Sequence, residues 1–158
     1  MKTKIVFLDL DNTLITTKTG RTFPINHNDW KPIPKTLKFI KNKKSQGYKI
    51  ILVTNQGGIS KGFLTLENFN TKLKDIQDVI GFKFDKIFIA LSMDSDYRKP
   101  KTYKLLEDLK KLDWIPDLTK SIMIGDAGGE PSDFSDSDKV FAENLGITFI
   151  HVDEIPLN

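Results

Sequence analysis

The chain contains no cysteine. That excludes a disulfide framework, a thiolate nucleophile and any zinc or iron–sulfur site built on thiolates. Arginine is nearly absent as well: Arg21 and Arg98 are the two arginines among 24 basic residues. Histidine is limited to His27 and His151, which stand far apart in sequence, so an imidazole-based transition-metal site is not expected. No apolar run approaches the ~18 residues of a membrane-crossing helix. The run Ile5-Val6-Phe7-Leu8 is too short for a signal-peptide core and has no small-residue cleavage site after it. These absences predict an intracellular, soluble protein with no membrane partner, and they do not distinguish nucleus from cytoplasm. The net charge of +3 points only weakly to anionic partners, and Lys41, Lys43 and Lys44 read as a solvated helix face.

What is present is an alternating pattern. The length of 158 residues fits one domain, 1–158. Apolar, β-branched runs predict strands at 4–10, 48–53, 86–91, 120–124 and 147–152. Helical spacing predicts helices at 35–46, 66–80, 102–112 and 136–145. Pro34 sits in the first turn of one helix, and Gly47, Gly81 and Gly146 stand at helix stops. Strands separated by helices make βαβ units. The expected fold is α/β, a Rossmann-like three-layer sandwich around a mainly parallel sheet. Segments 16–31 and 126–133 are irregular, and 16–23 is expected to form a hairpin flap.

In open α/β sheets, ligands bind beyond the carboxyl ends of the strands. After the first strand comes Asp9-Leu10-Asp11-Asn12-Thr13. In extended chain Asp9 and Asp11 would face the same way, so two carboxylates would repel, raise a pKa or share a cation. After the second strand comes Thr54-Asn55-Gln56-Gly57-Gly58, a hydroxyl, an amide and a glycine turn able to cradle an anion. Beyond the third come Arg98-Lys99-Pro100, and after the fourth Gly125-Asp126-Ala127-Gly128-Gly129. Each piece alone reads as a turn or a surface segment. Their order, one at each successive strand end, points to chemistry. Carboxylates suit Mg²⁺, Lys99 and N–H groups suit a phosphoryl group, and a carboxylate can act as nucleophile or as acid and base.

This arrangement resembles the haloacid dehalogenase superfamily of phosphohydrolases at Asp9-Leu10-Asp11-Asn12-Thr13, Thr54, Lys99 and Gly125-Asp126. A narrower resemblance is to the 3′-phosphatase domain of polynucleotide kinase 3′-phosphatases. It is carried by 9–24 with Asp29-Trp30, by Thr54-Asn55-Gln56-Gly57-Gly58-Ile59, by Tyr97-Arg98-Lys99-Pro100, by Asp133-Phe134-Ser135 with Asp138, and by 141–146. Asn12 stands where that family usually has glycine, and Asn tolerates the same turn. No kinase domain is expected, because Phe63 follows the Gly57–Gly62 spacing where a phosphate-loop lysine would stand.

The resemblance implies a haloacid dehalogenase-like fold without a large cap domain, since the intervals 13–54 and 54–98 hold little beyond the elements already counted. It implies a Mg²⁺-dependent phosphatase acting on 3′-phosphorylated DNA ends in repair, through an aspartyl-phosphate, with no nucleotide cofactor and as a monomer. Asp9 would be the nucleophile and Asp11 the acid and base. Mg²⁺ would be held by Asp9, the Asp11 carbonyl and Asp126. Thr54 and the Asn55 N–H would bind phosphate, and Lys99 would offset its charge. Thr13 would shape the loop, and Asp133 and Asp138 would orient other groups, Asp138 alternatively capping a helix. Lys18, Arg21 and Lys61 could meet backbone phosphates or be solvated surface. Trp30 and Phe63 could stack a base, with core packing the expected role for either, and His151 is expected as a satisfied structural histidine. Two other readings compete: a small-metabolite phosphatase of histidinol- or heptose-phosphate type, and a silent binding module on the same fold.

Overall fold

The computed structural model describes residues 2–156. Its elements run β1 (Lys2–Thr3), β2 (Ile5–Leu8), β3 (Ile15–Thr16), β4 (Lys31–Pro32), α1 (Pro34–Ser45), β5 (Lys49–Asn55), α2 (Leu66–Ile80), β6 (Lys86–Ala90), α3 (Tyr103–Lys111), β7 (Ile115–Pro116), β8 (Ile122–Gly125), α4 (Ser137–Leu145) and β9 (Thr148–His151), followed by a 3₁₀ turn at Val152–Glu154. The central sheet is five-stranded and parallel throughout, in the order β6-β5-β2-β8-β9.

Side-chain alternation makes three layers of it. Successive residues of a strand point to opposite faces. Val6, Leu8, Ile50 and Leu52 therefore meet Ile40 of α1 and Phe69, Leu73 and Ile76 of α2 on one face. Ile5, Phe7, Ile51 and Val53 meet Leu105 and Leu109 of α3 and Phe141 of α4 on the other. Both faces are covered, which is why β2 is buried at every position and reads as a continuous apolar run. Among the described residues, no large cap covers the carboxyl ends of the strands, as expected. Among the described residues, no helix is long and apolar enough to cross a membrane.

Three local expectations are corrected. The first strand stops at Leu8, because after Asp9 the chain folds back on the Leu10 carbonyl. Residues 16–23 form no hairpin; instead β3 pairs antiparallel with β4 at the base of a loop. Asp29 holds that loop internally, accepting from the Thr19 N–H, the Thr19 hydroxyl and the Ile25 N–H at 2.8–3.0 Å. The pairing of β1 with β7 had no counterpart in the expected elements.

Candidate active site

The first strand end builds the centre. Asp9 stays tied to the sheet through its N–H, which donates to the Ile124 carbonyl at 3.0 Å. The chain then folds back so tightly that the Leu14 and Ile15 N–H groups both donate to the Leu10 carbonyl. That turn puts Asn12 at φ 59°, a left-handed conformation that asparagine accepts at low cost. It also brings the Thr13 hydroxyl beneath Asp9, where it donates to Asp9 Oδ2 at 3.0 Å. Among the described residues outside regular elements, no backbone N–H donates to the Asp11 carbonyl, which leaves its oxygen available.

Lys99 enters from the loop after β6. Its Nζ lies 2.7 Å from Asp9 Oδ1 and 2.9 Å from Asp138 Oδ1, and it is 3% exposed. Burial alone would lower this ammonium, but the two carboxylates outweigh burial and hold it charged. The Asn55 side chain clasps the Lys99 backbone: its amide oxygen accepts from the Lys99 N–H at 2.9 Å and its amide nitrogen donates to the Lys99 carbonyl at 3.3 Å. Thr54, buried at the end of β5, accepts at its hydroxyl from Gln56 Nε2 (2.8 Å). The same amide donates to Asp11 Oδ2 at 2.8 Å. The Thr54 hydroxyl proton is thus left to donate elsewhere.

Asp138 is the residue that the linear pattern least prepares for. It lies in the first turn of α4, yet its carboxylate does not cap that helix. Oδ2 accepts from the Ala127 N–H at 3.1 Å, and Oδ1 makes the ionic contact with Lys99. The close approach requires Gly125: a Cβ there would fall 2.2 Å from Asp138 Oδ2. Asp9, Asp126 and Asp138 consequently offer carboxylate oxygens all within 4.8 Å of one another. Burial first, and then the charges of Asp9 and Asp138, push Asp126 up to about 8. Burial and then the charge of Asp9 raise Asp138, with Lys99 pulling against the rise. Burial also raises Asp11. Three clustered carboxylates facing one ammonium carry an excess of buried negative charge, and hard oxygen donors of this kind fit a divalent cation such as Mg²⁺.

The remaining expected residues are placed as follows. Asp133 Oδ2 accepts from the Gly128 and Glu130 N–H groups at 3.0 and 3.2 Å, and its Oδ1 lies 3.0 Å from His151 Nε2. It therefore pins the 126–133 loop to the end of β9. His151 is buried with both ring nitrogens engaged, Nδ1 accepting from the Asp153 N–H. Trp30 is in the core, as expected, but Phe63 is not: it is 83% exposed on the loop after β5. Lys18, Arg21 and Lys61 are exposed on the loops at this end of the sheet.

A parallel sheet with this acidic, lysine-bearing centre at its carboxyl edge defines a phosphatase of the haloacid dehalogenase type. Within that class the chain belongs to the polynucleotide kinase 3 phosphatase family, whose model matches residues 4–155. Three relatives frame the resemblance. An uncharacterized 20.8 kDa protein of Autographa californica nuclear polyhedrosis virus is 36% identical over 94% of this chain and 82% of its own length. The bifunctional polynucleotide phosphatase/kinase of Schizosaccharomyces pombe is 32% identical over 92% of this chain, which spans only 36% of that protein. A histidine biosynthesis bifunctional protein of Campylobacter jejuni is 32% identical over 98% of this chain and 43% of its own length. The D,D-heptose 1,7-bisphosphate phosphatase of B. bronchiseptica, solved with magnesium and phosphate, shares the fold with a TM-score of 0.68 at 22% identity, over 92% of this chain and 78% of that one.

Proposed function

We propose that the protein removes phosphate from the 3′ ends of DNA strands, in a Mg²⁺-dependent reaction that passes through an aspartyl-phosphate at Asp9. The observation that carries the polynucleotide substrate is the family match over residues 4–155, joined to a site that no large cap encloses. An open strand-end site can admit the end of a polymer.

Each residue has a part in this reading. Asp9, its Oδ1 held by Lys99 and its Oδ2 by Thr13, attacks phosphorus. An Asp9 oxygen–phosphorus bond forms as the bond from phosphorus to the 3′ oxygen breaks. Asp11, which burial keeps protonated more readily than an exposed carboxyl, gives its proton to that leaving oxygen. In the second step Asp11 takes a proton from water as the water oxygen attacks phosphorus, and phosphate departs from a regenerated Asp9. The free hydroxyl proton of Thr54 and the Asn55 N–H hold phosphoryl oxygens. Lys99 offsets the charge that builds there, and Asp138 positions Lys99 through their 2.9 Å contact. Mg²⁺ would be held by the Asp9 carboxylate, the Asp11 carbonyl and Asp126, and when bound would supply positive charge beside the phosphoryl oxygens.

The metal has a pH signature. A cation displaces protons from its carboxylates, and Asp126 holds a proton up to about 8 in the metal-free protein. Mg²⁺ affinity is therefore expected to rise from about pH 5 to pH 8, by up to roughly tenfold per unit. The sign for folding is the opposite. A carboxyl whose folded pKa is raised favours the fold at low pH, and that contribution is lost as pH rises through about 8. Calorimetric titration with Mg²⁺ at several pH values reads this directly; an affinity independent of pH would remove Asp126 from the site.

Substrate class is tested by phosphate release with Mg²⁺ from a 3′-phosphorylated DNA oligonucleotide, its 5′-phosphorylated counterpart and a panel of sugar and amino-alcohol phosphates. Release from the 3′-phosphorylated strand in preference to all others is expected. Faster release from a small metabolite would overturn the polynucleotide reading while leaving the phosphatase class intact.

A further inference from the structure

α2 presents an inward stripe of Phe69, Leu73, Ile76 and Ile80, and within that stripe stands a lysine, Lys72. It is 4% exposed, as buried as the leucine beside it. Among the described residues it has no carboxylate within 4.0 Å and no side-chain hydrogen bond, although every other deeply buried charged group here is paired. Its stem is buried, but its nitrogen is not among the fully buried side-chain atoms that lack a partner, so the ammonium reaches open space, where an unpaired charge can meet an anion that arrives. Helical side chains lean toward the helix N-terminus, which for α2 is the end following β5 and its Thr54–Asn55 terminus. Lys72 accordingly reaches toward Asp11, and its charge acts on that carboxyl against the rise that burial imposes.

The two lysines of the site thus divide their work. Lys99 is already saturated by Asp9 and Asp138. Lys72 is unsaturated and stands beside Asp11, the group assigned above to the leaving oxygen. Of the two lysines it acts the more strongly on Asp11, which places it nearer than Lys99 to what that oxygen carries. In a 3′-phosphorylated strand, the next anion on that side is the phosphodiester linking the terminal nucleotide to its neighbour.

Resting on the proposed function, we infer that Lys72 is a specificity-determining residue whose ammonium binds an oxygen of this phosphodiester, so that the site recognises the end of a polynucleotide rather than an isolated phosphomonoester. A leaving group with no negative charge at that position gains nothing from Lys72.

The test compares kcat/KM for a 3′-phosphorylated oligonucleotide with that for a nucleoside 3′-monophosphate, which lacks the diester. The wild-type protein is expected to favour the oligonucleotide. Lys72→Met is expected to shrink that ratio at least about tenfold, mostly through KM, whatever change is common to both substrates. Lys72→Arg is expected to restore part of it. A methylphosphonate replacing the terminal diester makes that link neutral, and in the wild-type protein it is expected to produce a similar loss with no change to the fold. In Lys72→Met it is expected to add little. A ratio within twofold of wild type in Lys72→Met, or a methylphosphonate that is processed as well as the native diester, overturns the inference while leaving the proposed function standing. Failure of the wild-type protein to release phosphate from any 3′-phosphorylated strand overturns the proposed function itself, and the role of Lys72 falls with it.

Discussion

Asp9→Asn is expected to reduce phosphate release by roughly four orders of magnitude or more, the scale seen when a nucleophile is removed, while the protein stays folded. The local contacts explain the asymmetry. The amide oxygen can take the Oδ1 place and accept from Lys99, the amide NH₂ can donate to the Thr13 hydroxyl, which accepts as well as donates, and Lys99 keeps its second carboxylate, Asp138, at 2.9 Å. Removing a negative charge from a cluster packed within 4.8 Å also relieves repulsion on Asp126 and Asp138. The thermal midpoint should therefore hold steady or rise in the metal-free protein. What disappears is the oxygen that can bond to phosphorus, since an amide is a poor nucleophile. Acid-quenched reactions should trap a phosphorylated wild-type protein and no phosphorylated variant. Residual turnover above about one part in a hundred would move the nucleophile elsewhere.

The elements that sequence patterning located best are those with local punctuation. α2 begins after Thr65, whose hydroxyl accepts from the Asn68 N–H, and ends at Gly81 with φ 89°. Both signals lie within a few residues of the boundary they set, and the expected bounds match. The expected first strand runs two residues past the observed end at Leu8 because Leu10 is apolar and buried. It is buried in a turn, where its carbonyl takes three N–H groups, and apolarity alone does not tell a turn from a strand. β1 and β7 pair over two residues only, too short for any period to show. The strand-end groups Asp9, Asp11, Thr54, Lys99 and Asp126 were legible because topology, once the alternation is recognised, gathers all strand ends on one edge.

Other site residues required the third dimension. Asp138 reads either as an orienting group or as a helix start, and its partners Ala127 and Lys99, 11 and 39 positions away in sequence, are not named by that reading. Gln56 reads as part of a glycine turn, yet its amide bridges Thr54 and Asp11. Phe63 and Lys72 exchange the roles their side chains suggest: the phenylalanine is in solvent and the lysine is in the core. Lys72 does leave a trace, three residues after Phe69 and adjacent to Leu73 on the buried face. Against a chain this rich in lysine, one more on a helix is hard to single out.

Lys99→Met is expected to cost both activity and stability, and pH separates the two. Without the ammonium, Asp9, Asp126 and Asp138 face one another with no cation between them. Removing one partner of a buried ion pair typically costs about 3–5 kcal/mol, because the other charge stays buried. That cost applies only while the carboxylates are ionised. Their folded pKa values, already raised for Asp126 and Asp138, should climb further in the variant. The folded variant then binds protons more tightly than its unfolded chain, so its deficit against wild type should shrink as pH falls from about 8 toward 5. Added Mg²⁺ should narrow the deficit at pH 8 by occupying the same cluster. Turnover should stay low, by roughly 100-fold or more, under every one of these conditions, since the charge that stabilises the transferring phosphoryl group is gone. Unfolding midpoints across pH, with and without Mg²⁺, beside phosphate release on the same samples, read both effects. A deficit that does not vary with pH would mean that Lys99 supports the fold by packing alone and that the three carboxylates do not share its charge.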